Sequence, residues 1–350
     1  MPAWIRTAIL TATVAAMPCA PAAAQQGQSR PVMVGYLAAF KGLDPAIARL
    51  PARTYTHLNI AFANPDPAGR MLRGDALACM EDGDGGTVSR AALKQAVASA
   101  QATGARVLLS VAGGVIPGCS GDWAKLLGPE TRPQLVSDLV ALADELGLDG
   151  IDVDIEGALL TRIDRDGNYT PFVAGLARAL HARGKLLTCA TASYEGGMVP
   201  VASIPFFDLV NVMSYDAIGP TWGPAGAEHA TVAGAERDLQ LWLGKGVRPE
   251  RLVLGVPFYG YGFGGLQPNW SYREISRRYG AVARRSDVIG SACPGCRYLT
   301  FNTPATIARK AALARRDAGG VMVWEVSQDS DDHELSQAVL DGWANASMTK

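Results

Sequence analysis

Read for its apolar positions, the chain alternates between two kinds of segment. Eight short runs are rich in Val, Ile and Leu and apolar almost without interruption: Val32 to Phe40, Thr56 to Ala63, Val107 to Val111, Gly150 to Glu156, Leu186 to Ala192, Leu209 to Tyr215, Leu252 to Tyr259 and Gly320 to Val326. Continuous rather than alternating apolarity is what strands covered on both faces require. Between the runs lie stretches with helical spacing and helix-end signals. Ser89 opens one that stops at Gly104, and Leu135, Leu139, Leu142 and Leu146 make a single stripe. Thr170-Pro171 offers an N-cap and first-turn proline ahead of Gly184; Val232, Leu239 and Leu243 mark a helix ending at Gly246; Thr303-Pro304 starts the last long helix.

Eight strands with helical crossovers predict an α/β fold closed as a (β/α)8 TIM barrel. A doubly wound open sheet is the competing closure, and the lack of a glycine-rich dinucleotide turn after the first strand weighs against it. The connection from Gly260 to Arg297, with Trp270, Tyr272 and Tyr279, is too long for a bare loop. It predicts a small insertion, residues 261–297, between strands 7 and 8, flanking the barrel mouth.

The start of the chain reads differently. Arg6 precedes a small, apolar run from Thr7 to Ala20, which ends in Pro21-Ala22-Ala23-Ala24 before Gln25. That order is expected of a secretory signal, residues 1–24, cleaved after Ala24. The run is shorter than the ~20 apolar residues of a membrane span, and Pro18 makes Cys19 a poor lipid-attachment site. The mature chain, 25–350, is then expected to be one domain, secreted to the periplasm or the exterior, with no membrane association. A net charge of −1 gives no basic surface for nucleic acid. An exported chain can keep disulfides. Cys79 and Cys119 follow neighbouring apolar runs and can bridge adjacent loops, Cys293-Pro294-Gly295-Cys296 can close locally, and Cys189, inside an apolar run, reads as a free core thiol.

The chemistry concentrates in Asp149-Gly150-Ile151-Asp152-Val153-Asp154-Ile155-Glu156. On a strand, alternate residues share a face, so Asp152, Asp154 and Glu156 project together and Ile151, Val153 and Ile155 oppose them. A solvated edge strand would explain the acidic face, but a strand between two crossover helices has no such face. A metal site would want further ligands, and His57, His181, His229 and His333 have no ligand spacing. Asp164, Asp166 and Asn168 lack the glycine of a calcium loop, since Tyr169 stands there. Proton chemistry fits: packed carboxylates cannot all ionise, so at least one keeps its proton. Glu156, nearest the C-terminal end of the strand where barrel sites form, is the expected general acid. Asp154 lies ~6.6 Å along the same strand, beside the acid rather than across a sugar ring from it, which is unlike a two-carboxylate retaining site.

This octad carries the DGxDxDxE signature, and in it the chain resembles the family 18 glycoside hydrolases, the chitinase family. Gly35-Tyr36, Ser110-Val111-Ala112-Gly113-Gly114 (SxGG, with Ala112 where the first glycine is usual), Asn211-Val212-Met213-Ser214-Tyr215-Asp216 (NxMxYD), Gly255-Val256-Pro257-Phe258-Tyr259-Gly260 and Gly320-Val321-Met322-Val323-Trp324-Glu325 match in order over essentially the whole mature chain. The resemblance implies a secreted retaining chitinase acting on chitin or N-acetylglucosamine oligosaccharides, with no cofactor or metal. Glu156 would protonate the glycosidic oxygen while the substrate's acetamido oxygen attacks. Asp154 would orient that acetamido group and Asp152 exchange a proton with Asp154. Tyr215 would donate to the acetamido oxygen and Asp216 contact the sugar at the cleaved bond. Trp324 would floor the cleft, Tyr36 and Ser110 support the aspartates, and Met213 and Trp222 line the substrate site. Trp270, Tyr259 and Tyr261 are candidates for further sugar subsites, while Trp123 and Trp242 read as structural. A non-catalytic chitin-binding lectin on the same barrel is the alternative from another class, although such relatives usually lose the terminal acid. An endo-β-N-acetylglucosaminidase acting on N-glycans is the alternative among hydrolases, and Met213 looks more like chitinases. Peptidoglycan remains a further possible substrate.

Overall fold

Strands buried on both faces need neighbours on both edges, and the chain supplies them by closing on itself. In the computed structural model, which describes residues 31–346 and Met1, the barrel strands are β1 (Val32–Ala38), β2 (His57–Ala63), β3 (Arg106–Gly113), β4 (Gly150–Ile155), β5 (Leu186–Thr191), β6 (Leu209–Val212), β7 (Leu252–Pro257) and β8 (Gly320–Trp324). Each pairs in parallel with the next, and β8 returns to β1 with Val32 opposite Gly320 and Gly35 opposite Val323. The expected eight-stranded barrel is the observed one. Apart from Met1, the expected signal segment lies outside the described residues.

Ile151, Val153 and Ile155 are fully buried on the outer face of β4, among helix residues such as Leu135, Leu139 and Phe172. The helices start where the sequence offers caps. Ser89 accepts from the Ala92 N–H ahead of Arg90–Gln101, Thr231 from Gly234 ahead of Val232–Gly244, and Thr303 from Thr306 ahead of Pro304–Asp317. The fourth start differs from expectation. That helix runs Tyr169–His181 with Asn168 at its N-cap. A helix over Gly157–Arg165 delivers the chain there through a tight turn at Gly167, and burial of Tyr169 draws it into the first turn.

Two excursions rise from the C-terminal ends of the strands. After β2 the chain forms an antiparallel sheet of Leu72–Arg73, Ala76–Glu81 and Thr87–Ser89. After β7 comes the expected insertion, wider than 261–297 on both sides. Its four-stranded sheet takes Tyr259–Gly262, which continues directly from β7, and Tyr298–Thr300, which pairs with it, together with Asn269–Ser271, Val288–Gly290 and the helix Tyr272–Tyr279. A disulfide joins Cys79 of the first excursion to Cys119 in the loop after β3, Cys293 closes on Cys296, and Cys189 is a buried free thiol. Trp123 and Trp242 are buried in the core. Among the described residues no helix is long and apolar enough to cross a membrane.

Candidate active site

The pleat of β4 turns Asp152, Asp154 and Glu156 toward the barrel axis in ascending order. Asp152 is level with Ser110 on β3 and Thr188 on β5. Both hydroxyls donate to it, Ser110 Oγ to Oδ2 at 2.7 Å and Thr188 Oγ1 to Oδ1 at 2.5 Å, and the Tyr36 hydroxyl reaches Oδ2 at 2.8 Å. Burial raises the Asp152 pKa, and the three donors pull it back by favouring the anion. Thr188 gave no motif signal; it completes this set.

One pleat higher, Asp154 is 3% exposed and its Oδ1 has no hydrogen-bond partner among the described residues. Burial, then the charges of Glu156 and Asp152, push its pKa well above the ordinary carboxylate range. Glu156 stands at the strand end, where the chain turns into Gly157–Arg165. Burial lifts its carboxyl to about 7; Asp154 draws it down and the charge of Asp216 adds to the rise. An acid with that value holds its proton through mildly acidic pH and can surrender it at neutrality.

The turn after β3 lets backbone approach the acid. A Cβ on Gly114 would lie 2.7 Å from Glu156 Oε1, and one on Gly113, at φ +95°, would meet the Phe62 ring at 2.7 Å. Ala112, where the resembled motif usually has glycine, adopts left-handed backbone at φ +76°. Beyond β6, Asp216 is left-handed too, at φ +60°. Its Oδ1 accepts from the Tyr259 hydroxyl at 2.5 Å and its carbonyl from Trp222 Nε1 at 3.0 Å. The Tyr215 hydroxyl donates to the Met322 sulfur at 3.8 Å, a weak acceptor, close enough to Asp216, Asp154 and Glu156 to feel their charges.

Trp324 ends β8 with one face to the cleft. Phe62 stacks near it at 5.5 Å and 20° between planes, and Tyr36 tilts against it at 5.4 Å. The next residue, Glu325, is fully buried, accepting from Lys41 Nζ at 3.0 Å and from Ser327 Oγ at 2.6 Å and N at 2.9 Å. The indole is thus tied to the loop after β1.

Above these groups is a cleft of about 650 Å³ lined by Tyr36, Asp154, Glu156, Met213, Tyr215, Asp216, Trp222 and Trp324, all expected from sequence. Asp152 and Ser110 lie beneath it. A second hollow of about 630 Å³ shares Glu156, Met213, Tyr215, Asp216 and Trp222 and adds Tyr194 and Asp238, so the groove continues past the acid. Three candidates for sugar subsites do not line either part. Tyr259 and Tyr261 are buried behind Asp216, and Trp270 is buried in the insertion with its Nε1 given to Gln267 O. Their strand turns those rings inward. Phe40, Phe62, Glu81 and Val115 also line the cleft, from segments at or beyond the C-terminal ends of β1, β2 and β3; the available signal was large side chains at those ends. Among the described residues no group of three or more His, Cys, Asp or Glu is arranged to hold a metal ion.

A groove that runs past a protonated acid and over an indole face suits a chain of sugar rings, which sets the protein among the barrel glycosidases. The chain belongs to family 18 of the glycosyl hydrolases, whose family model matches residues 32–329. It is similar to the chitinase ChiB from the chitin utilization locus of Flavobacterium johnsoniae, at 30% identity over 90% of this chain and 94% of that one, with a TM-score of 0.75. It is 27% identical to Nod factor hydrolase protein 1 of Medicago truncatula over 60% of this chain and 66% of the relative. A class V chitinase of Arabidopsis thaliana is 25% identical over 70% of this chain and 74% of its own length. The chain therefore spans just under two thirds of the Medicago protein.

Proposed function

We propose that the chain is a retaining chitinase that hydrolyses β-1,4-linked N-acetylglucosamine by substrate-assisted catalysis. The observation that carries this reading is the Asp154 carboxyl. It is buried beside an acid of raised pKa and holds an acceptor oxygen with no hydrogen-bond partner among the described residues, as an acetamido N–H would require.

With a sugar over Trp324, Glu156 gives its proton to the glycosidic oxygen as the bond from that oxygen to the anomeric carbon breaks. The substrate's acetamido oxygen forms the new bond to that carbon, producing an oxazolinium ion. Asp154 accepts the acetamido N–H and offsets the positive charge, and Asp152, bound by three hydroxyls, exchanges a proton with it. Tyr215 donates to the acetamido oxygen, and Asp216 contacts the sugar at the cleaved bond. Water then attacks the anomeric carbon from the side the leaving group vacated. Glu156 takes the proton of that water, the oxazolinium ring opens, and configuration is retained.

The cleft is lined by the acids Glu81, Asp154, Glu156 and Asp216 and by no Lys, Arg or His among the described residues. That sign supports a neutral polymer over the anionic chain of peptidoglycan. Export, with the signal removed after Ala24, accords with the two disulfides. The test is to digest N-acetylglucosamine hexamer and resolve early products by length and anomer. β-Anomeric dimers to tetramers are expected. Hexamer binding without cleavage would instead make the protein a lectin, and α-anomers would exclude retention.

A further inference from the structure

Behind Asp216 lies a histidine that the proposed chemistry leaves unused. His229 has no exposed surface, and neither ring nitrogen has a hydrogen-bond partner at ordinary distance among the described residues. Its Nδ1 is 3.5 Å from Asp216 Oδ1, the oxygen that also accepts from Tyr259. The rings of Tyr259 and Tyr261 each centre 5.3 Å from the imidazole and close it off. The backbone around it is pinned on two sides: its carbonyl accepts from Ala217 N at 3.0 Å, and its N–H donates to Thr300 Oγ1 at 3.3 Å.

Burial keeps this ring neutral by pushing its pKa below the ordinary value. Lys310 acts in the same direction, while Asp216 and Asp287 oppose it. A neutral imidazole carries one N–H and one bare nitrogen. With a carboxylate in front of Nδ1, a proton on that nitrogen is the arrangement that sets a donor against the negative oxygen. Hydrogen bonds at catalytic groups are often long in unliganded sites and tighten with substrate, so 3.5 Å lies within reach of closure.

We propose that His229 is a positioning residue for Asp216. Its Nδ1–H and the Tyr259 hydroxyl hold Oδ1 from behind, leaving the other oxygen of a side chain that is 37% exposed for the sugar at the cleaved bond. The hold matters because Asp216 sits in left-handed backbone at φ +60°, a conformation that a non-glycine residue keeps only where its surroundings impose it. The assignment rests on the reading of the cleft as a sugar site and adds a residue outside it.

Two substitutions separate the donor from the bulk. His229→Asn keeps an N–H near the Nδ1 position; His229→Leu fills similar space without one. With the hexamer, kcat is expected to fall roughly ten-fold in the Leu variant, the scale of one hydrogen bond to a charged group, with KM little changed, and to recover largely in the Asn variant. Equal losses in both, or full activity in the Leu variant, would overturn the proposal. A second measurement needs neither variant nor turnover: the nitrogen-15 shifts of the His229 ring in the unaltered protein. They should report the proton on Nδ1 with Nε2 bare, and a proton on Nε2 alone would refute the assignment. Failure of the chitinase reading is distinguishable, since the unaltered protein would then leave the hexamer intact.

Discussion

Replacing the acid should make the protein dead and more stable at once. Moving the Glu156 carboxyl from its ordinary 4.5 to about 7 separates its two protonation states by roughly 3 kcal/mol. The folded-state value lies above the unfolded one, so this contribution is fully present below about pH 4.5 and is lost as pH rises to about 7. Above that, the native state carries an ionised carboxylate that burial and the charge of Asp216 disfavour. Glu156→Gln keeps the shape and cannot ionise, and it also relieves Asp154 of a neighbouring charge. At about pH 8 the variant should exceed the parent by up to roughly 3 kcal/mol, or about 4 °C in Tm for a domain of ~320 residues. At about pH 4 the two should melt together. Thermal denaturation of both proteins at the two pH values measures the difference, and hexamer digestion measures the loss of turnover. In the parent, turnover should fall about ten-fold per pH unit above about 7 as the acid loses its proton. A Gln variant no more stable than the parent at the higher pH, or equally stabilised at both, would refute the account of the raised pKa.

Other substitutions probe the supports. Ala112→Gly should gain about 0.5 kcal/mol in urea unfolding, because relief of an alanine at φ +76° outweighs the added freedom of glycine in the unfolded chain; a loss would mean the methyl packing matters more. Thr188→Val removes the 2.5 Å donor to Asp152 and should lower kcat roughly ten-fold with KM little changed; unchanged kcat would exclude Asp152 from the proton exchange. Opening the Cys79–Cys119 bond, which spans 40 residues, by paired Cys→Ala change should cost up to about 4 kcal/mol on loop-entropy grounds, read as a lower urea midpoint, and equal midpoints would show that the hairpin packing alone holds that wall.

The barrel was legible because each of its strands is covered on both sides, and coverage leaves continuous apolar runs in the sequence. The acidic strand stood out for the opposite reason, since carboxylates at three alternate positions have no place in a packed wall without work to do. The hairpin sheet after β2 was not legible: its strands are short, partly exposed and broken at Gly74 and at Gly85-Gly86. Gly157–Arg165 was not legible because it begins directly at the end of the acidic strand, with no capping side chain to announce it. Tyr259 and Tyr261 show the same limit within the site. Sequence places aromatic rings at the end of β7, but whether such rings face sugar or stand behind Asp216 depends on how the insertion strand folds back, which only tertiary structure decides.

The three carboxyls rise from consecutive inward positions of one strand, and that has a mechanical meaning. Their spacing is a property of the β4 pleat, locked between β3 and β5 by parallel ladders, whereas the walls of the groove come from Phe40, Glu81, Val115, Tyr194 and Trp222 in segments beyond the barrel strands. Warming, or an awkward substrate, can spread those walls and alter how a chain enters or slips. The spacing from Asp152 to Asp154 to Glu156 is not on that hinge. Such a molecule should lose its grip on long substrates before it loses the ability to cleave a short one.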